Sequence, residues 1–171
     1  MAVADASVVI ALAKIGKLDL LHNLFGAVVL TPAVHHEVVD QGILRGAPDV
    51  VTVQRAIGEG WLGLIALGEA EHNLVDRLSL ATNLHAGETE SLAVASLRRS
   101  VLLADERDAR AVAQSLGVEV LGCAGVLFAA FRLEMLDLGS LEGAVLDLAR
   151  VLWLSPEIVA DILRRAREMG R

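Results

Sequence analysis

The chain opens with residues 1–14, MAVADASVVIALAK, and this stretch decides how the rest of the sequence is read. Residues 2–4 form a short apolar run that is typical of a strand, and residues 7–25 then have a helical pattern that is broken near Gly16. Between them stands Asp5, the only charged residue among the first 13. Because an unpartnered buried carboxylate costs several kcal/mol, Asp5 needs a partner that compensates its charge.

The composition indicates a single folded domain. The length of 171 residues suits one core, and a 54% share of hydrophobic residues is too high for a disordered chain. No apolar stretch reaches the roughly 20 residues of a membrane span, and no basic segment precedes the first apolar run as in a secretory signal. The lone cysteine, Cys123, excludes an intrachain disulfide and predicts a cytoplasmic protein. The net charge of −7 argues against a general nucleic-acid coat, which would be basic.

Short apolar runs alternate with helical patterns along the chain. Strands are predicted in AVAD (2–5), AVVL (27–30), SVLLAD (100–105) and VEVLG (118–122), and VVTVQRAI (50–57) is predicted to hold a short edge strand. Continuous apolar strands separated by helices are typical of a parallel sheet that is covered on both faces. Right-handed crossovers then produce a three-layer α/β/α sandwich.

Residue types at the helix ends support this alternation. Thr31 precedes Pro32 as a capping residue before a first-turn proline, so a helix is predicted over PAVHHEVVDQ (32–41). Gly117 is expected to end the helix that follows Asp105.

The end of the chain reads as helical. Two amphipathic helices are predicted there, and Ser155-Pro156 begins the second. We expect residues 1–138 to form the main domain and residues 139–171 to form a helical extension packed on it.

Acidic residues collect where the predicted strands end. Asp5 and Asp105 each close a strand, Glu37 lies early in the helix after the second strand, and Glu88 and Glu90 lie in the first turn of another helix. Ligands of open parallel sheets bind at the carboxyl edge, where these segments meet. Carboxylate oxygens favour hard cations such as Mg²⁺ or Mn²⁺, which also relieve the repulsion between the acids. The sequence therefore predicts a divalent-metal site that includes Asp5.

The first turn of the later helix leaves a choice of ligand. Residues two apart on a helix diverge by about 200°, so Glu88 and Glu90 are not both expected to bind the ion. Glu90 shares a helix face with Ala93 and Val94 and can point inward.

Other polar residues near these acids have two readings each. Ser7 is either a hydroxyl that supports Asp5 or a plain helix cap. Asp108 is either an additional acid of the site or a cap of its own helix. Arg107 and Arg110 either contact RNA phosphates or lie on a solvated face.

Five stretches, in this order and spacing, resemble the PIN-domain family and look most like its DUF3368 branch, which is related to the VapC toxins of prokaryotic toxin–antitoxin pairs. They are VADASVVIALAKIGKLDLL (3–21), LTPAVHHEVV (30–39), LHAGETESLAVA (84–95), LLADERDARAVAQSLGVEVLGCAGVL (102–127) and LSPEIVADILRRA (154–166). The resemblance covers nearly the whole chain. It implies a parallel-sheet α/β/α fold and metal-dependent cleavage of RNA.

The resemblance also assigns the acids. Asp5 matches the first family acid, Glu37 the second and Asp105 the fourth, and the third falls within GETE (87–90). Glu88 lies 17 positions before Asp105, close to the usual family separation, and is therefore favoured over Glu90. Cys123 stands where relatives often carry threonine.

These observations favour a Mg²⁺- or Mn²⁺-dependent endoribonuclease that hydrolyses RNA without a covalent enzyme intermediate. Its expected partners are RNA, a protein antitoxin that blocks the acidic groove, and a second copy of the chain, because the apolar content suggests a large interface. One alternative is a PIN-fold interaction module with weak or absent catalysis. Another is a receiver-like domain phosphorylated on Asp5, which needs a lysine that the late strands lack.

Overall fold

The computed structural model of the chain describes residues 1–169 and contains a five-stranded parallel sheet. The strands run in the order β3-β2-β1-β4-β5, with Ala4 in register with Leu103 across the central β1–β4 pair. Their bounds are β1 Ala2–Ala4, β2 Val28–Leu30, β3 Leu62–Leu64, β4 Val101–Leu103 and β5 Val120–Leu121.

Helices connect the strands and extend the chain beyond β5. Their bounds are α1 Ala6–Lys14, α2 Asp19–Phe25, α3 Pro32–His35, α4 Gly42–Leu44, α5 Val50–Gly58, α6 Glu69–Ala81, α7 Ala86–Arg98, α8 Arg107–Ser115, α9 Cys123–Arg132, α10 Leu138–Leu152 and α11 Pro156–Met169. A π-helical segment, His36–Gln41, joins α3 to α4.

The alternation of side chains along the strands builds the two outer layers. Ala2 and Ala4 of β1 pack in one apolar cluster with α1, α2, α5, α9, α10 and α11, whereas Val3 packs in a second cluster with α6, α7 and α8. Leu103 and Leu102 of β4 divide between the two clusters in the same way. Because successive strand residues face opposite sides, a continuous apolar run supplies both layers. The predicted three-layer α/β/α sandwich is confirmed.

The strand order places a switch point at the centre of the sheet. From β1 the chain moves outward to β2 and β3, then returns across the sheet to β4 and continues to β5 on the other side. Ligands of open α/β sheets bind at the carboxyl ends of the strands where the direction of winding reverses. Asp5 and Asp105 follow β1 and β4, the two strands that flank this point.

The residues that were predicted to begin and end helices do so in the structure. Thr31 caps α3, since its Oγ1 accepts a hydrogen bond from the Val34 N–H at 3.5 Å, and Pro32 occupies the first helical position. Gly117 follows α8 with a φ of +70°, a conformation that costs glycine little.

One prediction about residues 32–64 was wrong. VVTVQRAI (50–57) forms helix α5 and not an edge strand; its buried Val50, Val53 and Ala56 recur every three residues, as on one helix face. The edge strand is β3 instead. Residues 32–41 are helical as predicted, and the helix widens from an α-helix to a π-helix at His36.

The last two helices pack against the rest of the chain. Leu141, Val145 and Leu148 of α10 belong to the larger apolar cluster, and Ile162 and Ala166 bring α11 into it. The boundary predicted at residue 138 stays a prediction, and residues 170 and 171 of the predicted extension lie outside the described residues. Among residues 1–169, none of the helices combines the length and apolar character needed to cross a bilayer.

Candidate active site

A pocket of about 650 Å³ opens at the carboxyl edge of the sheet. The pocket is lined by one face of α1, by the π-helical segment, by the start of α7 with the loop before it, by the start of α8 and by the end of α10. The acidic residues that line it are Asp5, Glu37, Glu88, Glu106 and Asp108. Three of the predicted site acids therefore share one pocket, although they are far apart in sequence.

Asp5 is buried, with 4% of its surface exposed, and it caps α1. Its Oδ2 accepts hydrogen bonds from the Ser7 hydroxyl at 2.9 Å and from the Ser7 N–H at 3.4 Å. Burial raises the pKa of the Asp5 carboxyl, the Ser7 hydrogen bonds lower it, and the charge of Asp105 raises it further. Capping thus compensates the carboxylate only in part, which leaves an energetic reason for a cation beside it.

Glu37 reaches the pocket from the π-helical segment. Its Oε2 and the Oδ1 of Asp5 each lie 3.7 Å from the position that a Cβ on Gly87 would occupy. The missing side chain of Gly87 therefore leaves a space that both carboxylates face. Partial burial raises the pKa of Glu37, and the charge of Asp5 raises it further.

Glu88 and Glu90 take different positions on α7. Glu88 lines the pocket, and its Oε2 accepts a hydrogen bond from the His85 N–H at 2.7 Å. The pKa of Glu88 is raised by burial first and then by the charge of Asp5. Glu90 is not among the residues that line the pocket; its Oε2 accepts a hydrogen bond from the Ala33 N–H at 2.9 Å and so joins α7 to α3.

Asp105 lies beside Asp5 but is turned toward α9. Its Oδ1 accepts a hydrogen bond from the Cys123 N–H at 3.0 Å, which satisfies a free donor at the start of that helix. Within the described part of the chain, its buried Oδ2 has no hydrogen-bond partner. A Cβ on Gly122 would overlap the Asp105 Oδ1, so a larger residue there would have to displace this carboxylate. Burial and the Asp105 charge raise the pKa of the Cys123 thiol, which keeps it neutral.

The remaining predicted residues divide between the pocket and its surroundings. Ser7, Asp108 and Arg107 line the pocket. Arg110 is not among its lining residues, and its Nη1 donates to the carbonyl oxygen of Ala104 at 3.1 Å.

Several residues that line the pocket were not predicted from the sequence. Glu106 directly follows Asp105, so its place beside a strand end was a usable signal. Lys14 lies on the same face of α1 as Ser7, seven residues on, which helical spacing also indicates. Val151 and Leu152 at the end of α10 carried no such signal, because only tertiary packing brings that helix to the pocket.

The donor chemistry of the pocket fits a hard divalent cation. The carboxylates of Asp5, Glu37 and Glu88 supply oxygen donors, and the Asp105 Oδ2 is a buried oxygen without a partner in the described chain. Among residues 1–169, however, no three His, Cys, Asp or Glu side chains stand close enough together to form a ready metal site. The mutual repulsion of the carboxylates keeps them apart when no cation is present. A divalent ion would therefore bind only if these side chains moved inward around it.

Comparison with known proteins agrees with this architecture. Residues 1–168 match the family DUF3368, described as a PIN domain. Neither the curated proteins nor the solved structures with which the chain was compared gave a match. PIN domains are generally nucleases, and the fold seen here is of the nuclease type. Since the family match spans nearly the whole chain, this protein belongs to the DUF3368 family of PIN domains.

Proposed function

We propose that this protein is a Mg²⁺- or Mn²⁺-dependent endoribonuclease and the toxin component of a prokaryotic toxin–antitoxin pair that acts in the cytoplasm. The observation that carries the proposal is the meeting of Asp5, Glu37 and Glu88, from three separate segments, in one open pocket at the switch point of the sheet. Asp105 stands next to them with a buried oxygen that has no hydrogen-bond partner among residues 1–169.

Asp5, Glu37 and Glu88 would hold the divalent cation, with Asp105 beside them as the fourth family acid. When bound there, the ion neutralises the acids, polarises the scissile phosphodiester and lowers the pKa of the attacking water. Ser7 orients Asp5 through its hydroxyl hydrogen bond. Asp105 holds the start of α9 against the site through the Cys123 N–H.

Substrate binding has to overcome the acidic character of the protein. The net charge of −7 repels RNA at long range, so attraction depends on the ion and on nearby cations. Arg107 and Lys14 line the same pocket and can contact phosphates. We therefore expect the affinity for RNA to fall as salt is raised.

Two protein partners belong to the proposal. A cognate antitoxin would block the acidic pocket by inserting a basic side chain among the carboxylates. A second copy of the chain would cover an apolar patch that we define as Ile43, Leu44 and Val51, all exposed on α4 and the first turn of α5. Exposed apolar patches of this kind mark interaction surfaces.

The nuclease is tested by incubating the purified protein with end-labelled single-stranded RNA in Mg²⁺, in Mn²⁺ and in EDTA. We expect metal-dependent cleavage that falls by about 100-fold or more in Asp5→Asn and Glu37→Gln. Asp76→Asn, an exposed position on α6, is the matched control and should cleave normally. The absence of metal-dependent cleavage, or cleavage unaffected by Asp5→Asn, would overturn the proposal.

One observation favours a second candidate, an interaction module that keeps the fold without catalysis. The acids in the described residues do not already form a cluster able to hold an ion. Calorimetric titration with Mn²⁺ separates the two candidates. The nuclease predicts binding that is lost in Asp5→Asn, whereas the interaction module predicts no carboxylate-dependent binding at all.

A further inference from the structure

The pocket continues beyond the carboxylates into a part of different character. Ser7, Ile10, Ala11 and Lys14 of α1 all line it, and their spacing places them on one helix face. At 1.5 Å per residue, this face leads about 10 Å from Ser7 to Lys14. Its surface changes along the way from acidic at Asp5 to apolar at Ile10 and cationic at Lys14.

The end of α10 also lines this region of the pocket. Val151 and Leu152 line the same pocket, and Trp153 follows them directly. The α1–α10 arm is our name for the part of the pocket that is lined by Ile10, Ala11, Lys14, Val151 and Leu152.

Trp153 does not itself line the pocket, but it directly follows the lining residue Leu152 and has 91% of its surface exposed. It ends α10 in the left-handed conformation, with a φ of 53°, which is rare for a bulky residue and is usually left to glycine. The protein thus holds a large aromatic side chain in water on a strained backbone. Arg99 and Glu134 take the same conformation at other helix ends, so it is the exposed ring that sets Trp153 apart.

The other tryptophan shows the contrast. Trp61 is 7% exposed, its ring stacks on His22 with centroids 5.3 Å apart, and its Nε1 donates to Glu59 at 3.1 Å. Packing therefore accounts for Trp61, whereas the exposed ring of Trp153 gains no comparable burial.

We propose that the α1–α10 arm is a nucleotide subsite, in which Trp153 stacks on an unpaired base of the RNA and Lys14 contacts the phosphate of that nucleotide. The proposal rests on the ribonuclease function proposed above and extends it to the substrate, which has to be single-stranded for a base to reach the ring. A nucleic acid fits the arm better than a protein does, because the arm is continuous with the acidic pocket and combines an apolar floor with a lysine. Stacking on an aromatic ring tolerates any base, so the arm favours single strands without reading their sequence.

Binding is measured by fluorescence anisotropy of a labelled single-stranded RNA in Mg²⁺, with Asp5→Asn as the background so that the RNA stays intact. We expect Trp153→Ala to weaken binding about tenfold or more and Trp153→Phe, which keeps an aromatic face, to recover most of the affinity. Lys14→Ala should weaken binding and reduce its salt dependence. Arg77→Ala and Leu133→Ala, exposed positions that do not line the pocket, are the matched controls and should bind normally.

Intrinsic fluorescence gives a second readout, because the chain has two tryptophans and no tyrosine. In Trp61→Phe the emission comes from Trp153 alone, and we expect RNA to shield it from acrylamide. In Trp153→Phe the emission comes from Trp61 and should not respond to RNA. Shielding of Trp153 in the first variant and not in the second supports the subsite.

Three outcomes separate the subsite from the proposed function. If the wild type cleaves RNA but Trp153→Ala binds RNA unchanged, the subsite is wrong and the nuclease stands. If binding depends on Trp153 but no metal supports cleavage, the subsite stands and the nuclease is wrong. If Trp153→Ala alters sedimentation of the protein and leaves RNA affinity intact, Trp153 is a protein contact and the subsite is overturned.

Discussion

At the scale of single residues, Asp5 stabilises the fold by capping α1 and destabilises it by carrying a buried charge. As the cap of α1 it has a structural partner in Ser7, but burial and the charge of Asp105 still raise its pKa. The side chain therefore costs free energy of folding whenever it is ionised without a counterion. A residue kept at such a cost is a candidate for function rather than for stability.

This cost predicts a pH dependence. The pKa of Asp5 is raised above its ordinary value of 3.8, so the folded protein holds the proton more tightly than the unfolded chain does. The stability linked to this group is fully present below pH 3.8 and declines as the pH rises through the folded pKa. Asn cannot ionise and still caps a helix, so Asp5→Asn should be more stable than the wild type at neutral pH without divalent ions.

Thermal unfolding of the wild type and Asp5→Asn between pH 3 and pH 7 in EDTA measures the difference in their stability, with Asp76→Asn as the control. It should shrink toward pH 3.8, the ordinary value from which the Asp5 pKa is raised. Added Mn²⁺ should stabilise the wild type, by about 2.7 kcal/mol at 100 times its Kd, and leave Asp5→Asn unchanged. A variant that is less stable than the wild type at every pH would contradict this account of Asp5.

A second residue-scale prediction concerns Gly122. A Cβ there would overlap the Asp105 Oδ1 and lie 3.0 Å from the Arg110 Nη1, so Gly122→Ala has to displace Asp105 from the start of α9. We expect a loss of about 1–3 kcal/mol in the free energy of unfolding, measured with urea, and weaker Mn²⁺ binding. Gly58→Ala is the control, since no atom lies within 4 Å of its added Cβ. Equal stability of the two variants would show that Asp105 is free to move.

At the scale of elements, the sequence predicted the strands better than the region between β2 and β3. The strands are continuous apolar runs, so their positions were predicted from hydrophobicity. Asp5 and Asp105 directly follow such runs, and a charge that follows a buried strand lies at the edge of the sheet. In VVTVQRAI (50–57) the β-branched residues favoured a strand, while the burial of Val50, Val53 and Ala56 decides for a helix. The π-helical segment has no signal in residue type, because its wider turn comes from packing.

The contact between α3 and α7 predicts a positioning role for Glu90. Its hydrogen bond from the Ala33 N–H joins the helix that leads to Glu37 to the helix that carries Glu88. We expect Glu90→Ala to lower Mn²⁺ affinity about tenfold and Glu90→Gln, which keeps an accepting oxygen, to restore most of it. Glu90→Ala should cause no further loss of Mn²⁺ affinity in a Glu37→Gln background, because both substitutions act on the same ligand, Glu37.

Calorimetric titration of the wild type, Glu90→Ala, Glu37→Gln and the double variant with Mn²⁺ measures this coupling. Thermal unfolding of the same proteins reports their stability. An equal loss of affinity in Glu90→Ala with and without Glu37→Gln would indicate general destabilisation rather than positioning.

At the scale of the whole molecule, topology brings the acids together. Asp5 and Asp105 lie side by side because they follow the neighbouring strands β1 and β4. The sequence predicted that both acids lie at the carboxyl edge of the sheet, but it did not predict the order of the strands. The cationic and apolar part of the pocket was not predictable in the same way. It depends on α10 packing against α1, which no local pattern specifies.

The apolar patch of Ile43, Leu44 and Val51 leads to a prediction about assembly. If a second copy covers it, Leu44→Glu buries a charge in the interface and should shift the protein to monomer, raising the dimer Kd by about 100-fold. Sedimentation velocity measures the change, and Leu133→Glu, at an exposed position outside the patch, should sediment like the wild type. A wild type that is monomeric at high concentration would remove the second copy from the proposal.

The central claim is that acids from distant segments converge on one divalent ion. Crystals grown with Mn²⁺ and measured at an energy where manganese scatters anomalously test it most directly. The account predicts an anomalous peak in the pocket, in contact with the carboxylates of Asp5 and Glu37 and with that of Glu88. No peak in the pocket, or a peak bound only by other residues, would contradict it.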